Sequence, residues 1–162
     1  MRESIEMSLA FQKDLTPAAT TPESSAAHGS DSRIEISVVF TSVASTIAAL
    51  KHAAALADEL GARISLLVPQ IVPYPLPLTS PPVLIAFNER RFRVIAAESP
   101  VETSVSVYLC RDALETVAAA LKRHSLVVLG GRRRWWPWLT REQKLAAKLR
   151  KAGHEVIFTE SE

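Results

Sequence analysis

The chain has 162 residues, 48% of them hydrophobic and 22% charged, with a formal net charge of +2. That composition suits one globular domain, with or without a tail, and excludes a wholly disordered chain. Its one cysteine, Cys110, excludes an intramolecular disulfide framework and a cysteine-based zinc ribbon. No apolar run is long enough to span a bilayer, and the start, MRESIEMSLA, lacks the basic-then-apolar profile of a secretory signal. The expectation is a soluble, cytoplasmic protein.

Residues 1–32 are rich in serine, threonine, proline and alanine, with acids outnumbering bases. Such a stretch buries too little apolar surface to offset ordering entropy, so a disordered tail is expected ahead of a domain over 33–162. Within it, SIEMSLAFQKDL has only a weak helical spacing.

The domain then alternates between two periods. IEISVVF (34–40) reads as an apolar strand, and 42–60 as a helix with Ile47, Leu50, Ala54 and Ala57 on one face and Gly61 closing it. RISLLV (63–68) is a second strand. Six prolines between Pro69 and Pro82 exclude a regular element there. Ser80 and Pro81 read as an N-cap and first helical residue, and a helix is expected over roughly Val83 to Ala97. VETSVSVYL (101–109) alternates, as a strand with one polar face or an edge strand does. Asp112 with Glu115 predicts a helix to about Arg123, and SLVVL (125–129) a central parallel strand. Thr140 with Gln143 predicts a helix to Ala152, closed by Gly153 and followed by the strand EVIFT (155–159).

Five strands alternating with four helices predict a doubly wound α/β domain with a parallel sheet. Ligands of such sheets bind beyond the carboxyl ends of the strands, at the topological switch point. The loops of interest are therefore Thr41-Ser42, Pro69 onward, Cys110-Arg111, and Gly130 to Leu139. No catalytic frame appears. His28, His52, His124 and His154 have no partners at ligand spacing, which suggests no metal site. Cys110, followed by Arg111, is either a small buried thiol or one activated by the adjacent cation.

The unit from Ile34 to Pro69, with its Leu60-Gly61-Ala62-Arg63 step, resembles the opening of a universal stress protein domain. VAAALKRHSLVVLGGRRRWW is similar to that family's third helix and fourth strand running into a glycine loop. The resemblance covers roughly Arg33 to Thr159. It implies a Rossmann-like fold of the adenine nucleotide alpha hydrolase type, with strand order 3-2-1-4-5. It also implies a homodimer formed through the last strand, Glu155 to Thr159, an edge of the kind that invites pairing.

Members that bind ATP place an aspartate at the end of the first strand, where this chain has Phe40 followed by Thr41. They also carry Gly-x-x-Gly, nine residues, then Gly-Ser or Gly-Thr. Here Gly130 and Gly131 begin the motif, Arg133 takes the second glycine's place, and the final pair is Gln143-Lys144. The expectation is a non-enzymatic stress-response or signalling module that holds no cofactor in the family's usual way. The alternative is an ATP-binding protein with a rearranged loop, using Thr41, Ser42, Val68 (the family's base-contact position), Gly130, Gly131, Arg132, Arg133 and Thr140.

RRRWWPWLTREQKLAAKLRK (132–151) holds eight bases and one acid, Glu142, and all three tryptophans of the chain. Trp135, Trp136 and Trp138 read either as a lid folded over the strand ends or, with Arg134, as anchors of a protein partner. A membrane surface ranks below a protein partner, and nucleic acid ranks last.

Overall fold

The computed structural model describes residues 11–15, 34–132 and 140–160. The elements are β1 (Phe11–Leu15), β2 (Glu35–Val39), α1 (Val43–Leu60), β3 (Arg63–Ile71), α2 (Ile85–Ala97), β4 (Thr103–Cys110), α3 (Ala113–Ala120), β5 (Leu126–Gly131), α4 (Arg141–Lys151) and β6 (Glu155–Glu160).

β2 to β6 form a parallel sheet in the order β4-β3-β2-β5-β6. Counting those five strands along the chain, this is the predicted 3-2-1-4-5 order of a doubly wound, Rossmann-like fold. Alternate strand residues supply two cores. Ile36, Val38, Ile64, Leu66 and Val107 face α1 and α2, meeting Leu50 and Phe92. Val39, Leu67, Val127 and Leu129 face α3 and α4, meeting Val117 and Leu149. Period 2 in the strands thus feeds both helical layers.

The sheet has a sixth strand. Within the segment read as a tail, β1 pairs antiparallel with β4, from Phe11 opposite Leu109 to Leu15 opposite Val105. It covers the edge of β4 that the parallel strands leave free, which limits edge-to-edge association on that side. The rest of 1–32, apart from 11–15, lies outside the described residues.

Local boundaries follow local chemistry. Ser42 caps α1 by accepting from the Ser45 N–H at 3.2 Å, and Gly61 ends it at φ 61°, a conformation that favours glycine. β3 continues through Pro69, beyond its predicted end. Past the Val39–Leu67 pair only β4 flanks it, and proline is tolerated where one edge is free. α2 begins at Ile85, two residues past the expected Val83, and its N-cap is Leu84, which makes no side-chain bond, instead of Ser80. Pro82 keeps Pro81 out of the helix, because a residue preceding proline is disfavoured in helical geometry. α3 stops at Ala120, short of Arg123. Leu121 takes extended dihedrals (φ −73°, ψ 137°) and is buried against the second core. Among the described residues, no helix is long and apolar enough to cross a membrane.

Candidate functional site

The switch point lies between β2 and β5, whose following helices depart to opposite faces of the sheet. Thr41 closes the gap between the two strand ends. Its hydroxyl donates to the Gly130 carbonyl at 2.8 Å, and its N–H donates to the Thr46 hydroxyl at 3.2 Å. Ser42 is committed to the start of α1, bonding the Ser45 N–H and donating to the Ser45 hydroxyl at 2.9 Å. Val68 is 2% exposed and belongs to the α1/α2 core. Of the predicted contact residues, Thr41, Ser42 and Gly130 therefore come together, bound to one another and to α1.

The two glycines serve close packing. A Cβ on Gly130 would sit 1.9 Å from the Ser45 carbonyl oxygen, so glycine is what lets α1 rest on β5. A Cβ on Gly131 would meet the Phe158 ring at 2.7 Å and the Glu142 Cβ at 3.1 Å. Phe40, where ATP-binding members of the resembled family have aspartate, makes an edge-on contact with Phe92, with centroids 5.0 Å apart. Thr140 forms a full capping box. Its hydroxyl accepts from the Gln143 N–H at 3.2 Å, while the Gln143 side chain accepts from the Thr140 N–H at 2.9 Å. The start of α3 is likewise occupied, because Asp112 accepts from Leu114 N–H at 2.7 Å and Glu115 N–H at 3.0 Å.

On the α3/α4 side of the switch point a cavity of about 490 Å³ remains. Its walls are apolar, with Val39, Pro69, Val117 and Leu145, and its lining also holds Arg111, Arg141 and Lys144 together with the acids Asp112 and Glu142. Arg111 is already engaged. Its guanidinium donates to the carbonyls of Val72 and Leu76 and lies 4.0 Å from the centre of the Tyr74 ring, strapping down the proline-rich connection. Arg132 is exposed at the end of β5. Arg133, Arg134, Trp135, Trp136 and Trp138 lie outside the described residues.

The structure corrects the idea that Arg111 activates Cys110. The thiol is fully buried, its Sγ 3.6 Å from the Gln70 carbonyl, and the neighbouring guanidinium is directed to the loop. Burial pushes the thiol above its ordinary pKa; Thr116 opposes the shift through a hydrogen bond and the Asp112 charge adds to it. Labelling of Cys110 by an aromatic disulfide reagent is expected to be at least about 100-fold slower in the folded protein than in the urea-unfolded chain. The sign of the pH effect follows. Above about pH 8.5 the unfolded chain releases this proton first, so the thiol's contribution to stability is full below that pH and declines as pH rises. Equal labelling rates in the two states would refute the burial.

Arg111 as a loop strap and the Phe40–Phe92 pair escaped sequence reasoning, since both join residues remote in the chain. Among the described residues, no group of three or more His, Cys, Asp or Glu side chains is placed to hold a metal ion. No protein-family model matches the chain, and no curated protein matches it.

Proposed function

We propose that the chain is a non-enzymatic signalling module of the universal stress protein type, acting through dimerisation and protein contact rather than through ATP bound in that family's way. The observation that carries this reading is the Thr41–Gly130 hydrogen bond across the switch point, with Gly130 packed on the Ser45 carbonyl. The groups that would approach a nucleotide are committed to holding β2, β5 and α1 together. Opening them for a phosphate would take the Thr41 partner from the carbonyl of buried Gly130 and from the hydroxyl of buried Thr46. Protein contact is supported by the β6 edge, where Val156, Ile157, Phe158 and Thr159 are each half-buried and, among the described residues, β6 pairs with β5 alone. Such an edge is suited to pairing with a second copy.

The test is thermal unfolding with and without millimolar ATP and magnesium. An unchanged Tm is expected. A ligand at about a hundred times its Kd stabilises the native state by about 2.7 kcal/mol, a shift of several degrees for a domain of this size. A shift of that size, lost in Lys144→Ala, would instead favour the second reading, an arginine- and lysine-lined nucleotide site. The cavity with Arg141 and Lys144 in its lining is the observation behind that alternative.

A further inference from the structure

At the opposite end of the strands, no helix among the described residues covers the α3/α4 face of the sheet. α3 ends after eight residues, and the chain turns through Lys122, Arg123 and His124 before entering β5. The space beneath is a cavity of about 630 Å³, within the range of small-molecule sites.

Its floor is a row of serines. Ser37 of β2 pairs in register with Ser65 of β3, which pairs in register with Ser104 of β4, and all three line the cavity. The covered face of a parallel sheet is normally apolar, as it is one step further up at Val39 and Leu67. Ser37 and Ser65 are 6% and 8% exposed as residues, and both line the cavity, while the buried polar side-chain atoms without a partner among the described residues do not include their hydroxyls. Hydroxyls that open on the cavity are available to donate to and accept from whatever fills it. Ser104 is more open, and its hydroxyl donates to the Ile64 carbonyl at 3.3 Å. At the rim, Lys122 is paired with Glu35 at 2.5 Å. Arg123 is exposed at the rim and has no ionic partner among the described residues.

We propose that this cavity binds a small phosphorylated polyol, its hydroxyls on the serine row and its phosphate on Arg123. Serine hydroxyls donate and accept, which matches ligand hydroxyls that do the same, and a guanidinium fork matches a phosphate. The site is separate from the switch point, so it stands or falls independently of the reading above.

The experiment is thermal unfolding and calorimetric titration of the full chain with glucose 6-phosphate and glycerol 3-phosphate, against glucose and inorganic phosphate alone. At least one of the two polyol phosphates is expected to raise Tm by about 2 °C or more, beyond the effect of either half. Arg123→Ala should weaken that ligand about 10-fold while leaving binding of the uncharged polyol unchanged. Ser37→Val with Ser65→Val should abolish the shift. That variant places apolar side chains against an open cavity, and its own Tm in the absence of ligand reports that it folds. A shift retained in the serine variant, or reproduced in full by inorganic phosphate, would overturn the proposal. So would no shift with either polyol phosphate, in which case the hydroxyls serve only water.

Discussion

Gly130→Ala is expected to cost about 3 kcal/mol or more, lowering Tm by roughly 10 °C in a thermal melt. The added Cβ would stand 1.9 Å from the Ser45 carbonyl oxygen and 2.5 Å from its carbon. Both atoms are backbone, so no rotamer change relieves the overlap. α1 would have to lift from β5, disturbing the Ser42 cap and the Thr41–Gly130 bond together. Gly131→Ala is the internal comparison. Its nearest obstacle is the Phe158 ring, a side chain able to turn, so its cost should be smaller. If Gly130→Ala melted within about 0.5 kcal/mol of the parent, the seating of α1 on β5 would be wrong. A large loss would show that this glycine serves packing between helix and strand, whatever else approaches the loop.

Phe92→Ala is expected to destabilise by about 3–5 kcal/mol, read from denaturant unfolding with an unchanged m-value. Phe92 is 5% exposed and sits in the α1/α2 core, where its removal leaves a cavity flanked by helices and sheet. It also loses the edge-on contact with Phe40, at 5.0 Å between centroids and 74° between planes. A double-mutant cycle with Phe40→Ala isolates that part, with an expected coupling of about 1 kcal/mol. A coupling near zero would mean that Phe40 is held by its strand alone. The measured coupling matters for function, because it states how strongly the first strand's end is tied to α2 rather than left available to a ligand.

Much of the architecture was legible. The helical stripe of Leu50, Ala54 and Ala57 and the apolar run SLVVL carry their periods within a few residues, and the capping pair Thr140 and Gln143 signals a helix start directly. Element ends were less legible. α3 is shorter than its capping signal and stripe suggest because Leu121 leaves the helix to bury itself on the second core, a choice made by tertiary packing. β1 had no readable pattern, because its five residues are ordered by backbone pairing to β4. The site was legible in the types of its residues but not in their use. Thr41 and Gly130 read as a phosphate loop's parts until their mutual hydrogen bond is seen.

What the sequence by itself determined is the alternation of strand and helix, and with it a parallel sheet of five strands wound on both faces. Those features follow from hydrophobic period and turn chemistry, which are local. Only the tertiary structure decided that Gly130 faces Ser45, that Arg111 straps the proline-rich connection, and that Ser37, Ser65 and Ser104 fall in one row over a cavity. A serine inside an apolar strand announces which face it points to, since side chains alternate with period 2. Its neighbours across the sheet depend on register, and register is set by pairing between strands far apart in the chain.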